Sequence, residues 1–184
     1  VLQREIAVPI WGTAAPGEAV TVTFAGQTKI ATADDKGNWM VKLDPLSASA
    51  ESRAMTIFGP DAATNRPPVV FEDVLVGEVW VGSGQSNMQM AVKSCYDAEK
   101  EIESANDPNI RVFRVPLITA TQPTKNLKGG EWKVCSPKTV GDFTAAGYFF
   151  GREIRAKENV PIGLANPLPM MSNAEPWIGS NIDG

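Results

Sequence analysis

The segment Val74-Leu75-Val76-Gly77-Glu78-Val79-Trp80-Val81 constrains the fold most, because a nearly continuous apolar run reads as a strand covered on both faces. It leads into Gly82-Ser83-Gly84-Gln85-Ser86-Asn87-Met88, a glycine-flanked turn, and Asn87 to Ala105 then reads as a helix. Ile110 to Val115 is a second strand, and Pro116 to Val140 reads as one long loop. Phe143, Gly147, Phe150 and Ile154 recur at amphipathic helical spacing, with Gly147 and Gly151 letting that helix approach a sheet closely. Asn159-Val160-Pro161 ends the helix, and Val160 to Ala165 is a third strand. Strand–helix–strand–helix–strand predicts a parallel sheet with crossover helices. Three such strands leave an edge uncovered, so residues 71–184 are expected to be the first, incomplete part of an α/β domain.

Residues 1–70 read differently. Ala19 to Phe24 alternates strictly, and Thr28 to Ala33, Trp39 to Leu43 and Ala54 to Phe58 are further short strands. Turn signals separate them at Ala15 to Glu18, Ala25-Gly26-Gln27 and Asp34 to Asn38, the last read as a hairpin loop. This spacing predicts a small antiparallel β-sandwich over 1–70, with Gly59 to Pro68 as linker. The expected fold class is therefore multidomain, β plus α/β.

A net charge of −4 argues against nucleic acid and against an anionic membrane surface as partners. No apolar run approaches the roughly 20 residues needed to span a bilayer. Cys95 and Cys135 are either a disulfide, which would favour an oxidising compartment, or two buried thiols. Neither cysteine has histidine nearby, so no metal site is expected.

The glycine-rich turn admits several readings. It lacks the Lys-Ser or Lys-Thr of a P-loop. A dinucleotide fingerprint would need a third glycine where Asn87 stands and an acidic residue where Pro116 and Leu117 follow the second strand. A plain tight connection remains open, and so does a nucleophile: a serine between a parallel strand and a helix is exposed beside N–H groups that meet an oxyanion. Ser86 holds that place, yet the chain contains no histidine to take its proton. Asp73, Glu78, Asp142 and Glu175 show no pairing in their spacing and read as solvated or capping groups. The tryptophans read as core or interface residues, with Trp132 and Trp177 as candidates for lining a sugar site.

The run from Phe71-Glu72-Asp73-Val74 through Gly84-Gln85-Ser86-Asn87-Met88 resembles the nucleophile block of the sialate O-acetylesterase family, SGNH-type hydrolases that remove acetyl groups from sugars. Phe143 to Arg152 resembles the helix before that family's second block, and Val1 to Arg4, Val8 to Gly12 and Pro16-Gly17 resemble its preceding β-domain. The resemblance implies an SGNH-like, flavodoxin-like sheet and Ser86 as nucleophile with its own N–H in the oxyanion hole. It further implies an O-acetylated sugar or glycan as substrate, no cofactor, and an extracellular, periplasmic or other secretory location.

After the third strand the family carries Asn-x-x-Trp-Gly-Gly-Thr shortly before Glu-x-Trp. Asn166 and Glu175-Pro176-Trp177 keep that spacing, but Pro169, Met170, Met171 and Ser172 replace the middle. A glycine there is implied to give an N–H to the oxyanion, and Met170 would take over that backbone role. At positive φ a methionine costs about 1–2 kcal/mol, and losing one oxyanion donor lowers turnover by about 10²–10³. The family's Gly-Glu-x-Asn and Asp-x-x-His segments are missing, so the chain is expected to be an N-terminal fragment, nearly inert alone. The Met170-Met171 replacement favours the alternative, a non-catalytic glycan-binding protein that retains the esterase fold.

Overall fold

The computed structural model describes residues 1–59, 67–84, 86–116 and 129–167. It divides into two compact units, Val1–Glu78 and Val79–Gly184. The first unit carries β1 (Leu2–Gln3), β2 (Val8–Thr13), β3 (Ala19–Phe24), β4 (Gln27–Thr32), β5 (Asn38–Leu43), β6 (Ser49–Phe58) and most of β7 (Val69–Val81). One sheet runs β4-β3-β6-β7, with β1 parallel to β7 at Leu2↔Val76; β2 and β5 form a separate antiparallel pair from Val8↔Leu43 to Thr13↔Asn38. Alternation decides what is buried: Val20, Val22 and Phe24 of β3 share one core with Trp39, Val41 and Leu43 of β5, joined by Met55 and Val76. Each such side chain contributes about 1.5–3 kcal/mol when fully buried.

The strands expected from alternation are present, but the loop Asp34 to Asn38 is not a hairpin. β4 pairs with β3 and β5 with β2, so this turn carries the chain from one sheet to the other. Asp34 shapes it locally: its carboxylate accepts from the N–H groups of Asn38 and Lys36, both at 2.8 Å, and the Asn38 bonds foremost hold it below its ordinary pKa. The same alternating pattern fits either pairing, and only the non-local core contacts select between them.

The second unit adds α1 (Ser86–Gln89), α2 (Ala98–Ser104), β8 (Ile110–Val115), β9 (Trp132–Val134), α3 (Ala145–Glu158) and β10 (Ile162–Pro167). β10 pairs in parallel with β8 from Ile162↔Ile110 to Pro167↔Val115, β9 adds to β8 antiparallel, and the end of β7 lies beside β10. Gly147 and Gly151 do bring α3 onto this sheet. A Cβ on Gly151 would stand 3.0 Å from Leu164 Cδ1 and 3.3 Å from Ile162 Cγ2. Asn159, at φ 52°, closes the helix with its N–H on Arg155 C=O. Among the described residues no helix is long and apolar enough to cross a membrane.

Several expectations are corrected here. A flavodoxin-like order places the first strand between the second and third, whereas β10, the third, stands between β7 and β8. Burial follows that order: Ile162 and Leu164 are covered, while Trp80 is 43 % and Val81 72 % exposed, so the apolar run is not covered to its end. The helix expected over Asn87 to Ala105 is broken. Ala91 is extended and bridges to Thr144, Val92 donates its N–H to Phe143 C=O, and Asp97 adopts left-handed geometry at φ 51°. Burying Val92 against the start of α3 outweighs continued helix. Part of the expected long loop is a strand, because Trp132 packs on Phe113 with ring centroids 5.5 Å apart. Phe150 lies off the buried stripe of α3 and stacks edge-on against Trp80 at 5.1 Å.

Candidate active site

The parallel pairing of β8 and β10 puts Val115 and Asn166 at one end of the sheet, and the end of β7 delivers the serine turn there too. Ligands of open α/β sheets bind outside this carboxyl end. Ser86 is exposed and opens α1, whose single turn is closed by the Met90 N–H on Ser86 C=O at 3.0 Å. A four-residue helix carries little macrodipole. The chemistry available at Ser86 is therefore that of an accessible hydroxyl with its own backbone N–H.

The two flanks of the turn are held separately. Upstream, Gly82 donates its N–H to Ala165 C=O at 2.9 Å, fixing the turn to β10. Downstream, Ala145 donates to Met90 C=O at 2.8 Å and Val92 to Phe143 C=O at 3.0 Å, fixing the segment after α1 to the start of α3. Met88 fills the inside: a Cβ on Gly84 would stand 2.7 Å from its Cγ, and one on Gly82 would stand 2.9 Å from its Cε. The glycines in this turn therefore make room for Met88.

Two buried side chains lie beside these anchors. Thr144 is 4 % exposed and Asn166 2 % exposed, and neither Thr144 Oγ1 nor Asn166 Oδ1 meets a hydrogen-bond partner among the described residues. Thr144 takes the N-cap position of α3 without a side-chain capping bond. A threonine ahead of an amphipathic helix is a readable N-cap signal, but its idle hydroxyl is not visible in sequence.

Met170, expected as the second oxyanion donor, lies outside the described residues, as do Glu175 and Trp177. Trp132 sits half-exposed on β9. Of the carboxylates read as solvated or capping, Glu78 pairs with Arg4 at 2.6 Å, and Asp142, itself mostly exposed, pairs with Lys93 at 2.6 Å. The Lys93 hydrogen bond holds Asp142 below its ordinary pKa. Both cysteines are free thiols; Cys135 is buried, which raises its pKa, and Cys95 is half-buried. Among the described residues no cluster of His, Cys, Asp and Glu could hold a metal.

A cavity of about 420 Å³ opens at the other end of β8, beside Ile110, Asp107, Tyr148, Arg152 and Arg155. Its guanidinium groups are already matched, Arg152 by Glu101 and Arg155 by Asp107 at 3.2 Å, so it presents no unbalanced charge to a ligand.

No protein-family model matches the chain. It is 36 % identical over 183 residues to the mouse (Mus musculus) sialate O-acetylesterase, covering 90 % of this chain and 33 % of the relative. Against the human (Homo sapiens) sialate O-acetylesterase it is 32 % identical over 202 residues, covering all of this chain and 36 % of the relative. The crystal structure of a carbohydrate acetylesterase from Xanthomonas citri superposes with a TM-score of 0.84 at 38 % identity, covering 90 % of this chain and 37 % of that one. The chain spans about a third of the length of the relatives it matches. With an exposed serine at the head of a pinned strand–turn–helix, and agreement in both sequence and fold, the chain is related to the sialate O-acetylesterases and matches their N-terminal part.

Proposed function

We propose that this chain is the nucleophile-bearing part of a carbohydrate O-acetylesterase, acting on O-acetylated sugars or glycans. The observation that carries the reading is Ser86, exposed at the carboxyl end of the parallel strands on a turn anchored on both flanks. Ser86 Oγ attacks the acetyl carbonyl and gives up its proton to a base. The tetrahedral oxyanion is met by the Ser86 N–H and by a second backbone N–H, assigned to Met170. Collapse breaks the bond to the sugar oxygen, which takes the proton from the base and leaves as a hydroxyl; water, deprotonated by the same base, then attacks the acetyl-serine, and acetate leaves as Ser86 Oγ takes the proton back. The base in this reading is a histidine supplied from elsewhere in a longer protein, since these 184 residues hold none, and removing such a partner costs about 10⁴–10⁶ in turnover. In this reading the β unit is an accessory domain, the second unit begins an SGNH-type hydrolase domain, and the protein works in a secretory compartment.

The test treats the full-length protein with a fluorophosphonate, maps the adduct and measures acetate release from O-acetylated sugars. The reading expects label on Ser86, with label and release both lost in Ser86→Ala. Glycan binding with neither label nor acetate release would replace it with a non-catalytic binding protein.

A further inference from the structure

α3 runs antiparallel to β10 along one face of it. Gly151 meets Ile162 and Leu164, while a Cβ on Gly147 would stand 3.8 Å from Leu164 and 2.7 Å from Thr144 Cγ2. Alternate residues of a strand share a face, so after Ile162 and Leu164 the next residue on this face is Asn166, towards the Thr144 end of α3. The two buried oxygens that lack partners among the described residues therefore lie on the same side of the sheet, at the same end of one helix. Leaving a buried polar oxygen unpaired forfeits its hydration with nothing in return. Each also adjoins one anchor of the serine turn: Asn166 follows Ala165, which holds Gly82, and Thr144 lies between Phe143 and Ala145, which hold Val92 and Met90.

We propose that Thr144 and Asn166 are positioning residues for Ser86, joined through one shared buried water that ties the two anchors of the turn together. The threonine hydroxyl can donate to or accept from that water, the Asn166 carbonyl accepts from it, and the first turn of α3 offers further N–H groups. A buried water makes about 2–4 such bonds, and the threonine hydroxyl and the asparagine amide are both neutral, which suits water rather than an ion. The catalytic meaning of the pair rests on Ser86 being the nucleophile; the coupling of the two anchors does not.

The test is hydrogen–deuterium exchange on the full-length protein, following peptides that cover 82–92, together with the rate of fluorophosphonate labelling. Thr144→Val and Asn166→Leu are each expected to speed exchange in 82–92 and slow labelling by about tenfold, equivalent to about 1.4 kcal/mol. Thr144→Ser should stay near wild type. The double variant should be no worse than the worse single one, because both remove the same bridge. Unchanged exchange, effects that multiply in the double variant, or a rise spread equally over β8 and β10 would each overturn the proposal. If wild type takes no label, the esterase reading fails, while the exchange result still decides the coupling.

Discussion

Tyr148 on α3 donates its hydroxyl to Glu101 on α2 at 2.8 Å, and the same carboxylate oxygen accepts from Arg152 at 2.5 Å. This joins the short second helix to the one that packs on the sheet. Burial works against the Glu101 charge, but the bonds from Arg152 and Tyr148 outweigh it and hold the pKa below the ordinary value of 4.5. Burial, followed by the Glu101 bond, pushes the tyrosine well above its usual range. A carboxylate with a lowered folded pKa stabilises fully above its unfolded value and loses that contribution as pH falls through the folded one.

Tyr148→Phe is expected to cost about 1 kcal/mol at neutral pH, the net worth of one such bond. In Glu101→Gln the decline of stability below about pH 4.5 should be shallower than in wild type. Urea unfolding across a pH series checks both, and parallel acid limbs would contradict the assignment.

The serine turn depends on Met88 filling the space above Gly84. A Cβ there would stand 2.7 Å from Met88 Cγ and 3.3 Å from its Cβ, close to the α1 backbone, where movement is limited. Gly84→Ala should therefore shift Ser86 and slow its fluorophosphonate labelling by about tenfold, as overpacking of about 1–3 kcal/mol would. Adding Met88→Ala to that variant should recover part of the rate. Failure of the second change to help would place the cause elsewhere in the turn.

The parts of the fold fixed by local pattern were legible in the sequence. Val20, Val22 and Phe24 alternate inward as their spacing requires, and Gly147 and Gly151 mark the close face of α3. What escaped was non-local. The alternation at Trp39, Val41 and Leu43 serves β2 as well as it would serve β4, and the apolar residues around Val92 fit a helix equally well in isolation. The site divides the same way. The exposed turn carrying Ser86 is announced by its glycines, whereas Thr144 and Asn166 come to one side of the sheet only because α3 folds back along β10, a packing that no spacing of residues encodes.

Close approach of α3 to β10 makes Gly151 a sensitive position. Replacing it with a better helix former gains up to about 1 kcal/mol in helix propensity. A β-branched side chain forgoes much of that gain and drives methyl groups into Leu164 and Ile162, already 3.0 Å and 3.3 Å from a bare Cβ. Gly151→Val is expected to lower stability by about 1–3 kcal/mol through overpacking. A urea midpoint equal to wild type would show that the helix can ride outward at no cost.

The turn between β3 and β4 holds two residues, Ala25 at φ 49° and Gly26 at φ 78°, between the paired Phe24 and Gln27. Positive φ at both central positions is the hairpin geometry that Asn-Gly fits best. Alanine tolerates it at a cost of about 1–2 kcal/mol, because its Cβ crowds the following carbonyl. Asparagine is relieved of part of that cost by local hydrogen bonding from its side chain, and valine suffers more than alanine. Ala25→Asn should therefore raise stability by about 0.5–1 kcal/mol and Ala25→Val should lower it, each seen as a moved urea midpoint with an unchanged slope. Phe24 on one side of the turn is buried and Gln27 on the other is bonded to Asp44, so neither end can slide to relax the strain. The response should accordingly follow the side chain at position 25, and equal midpoints for wild type and both variants would mean that the turn adopts another geometry in solution.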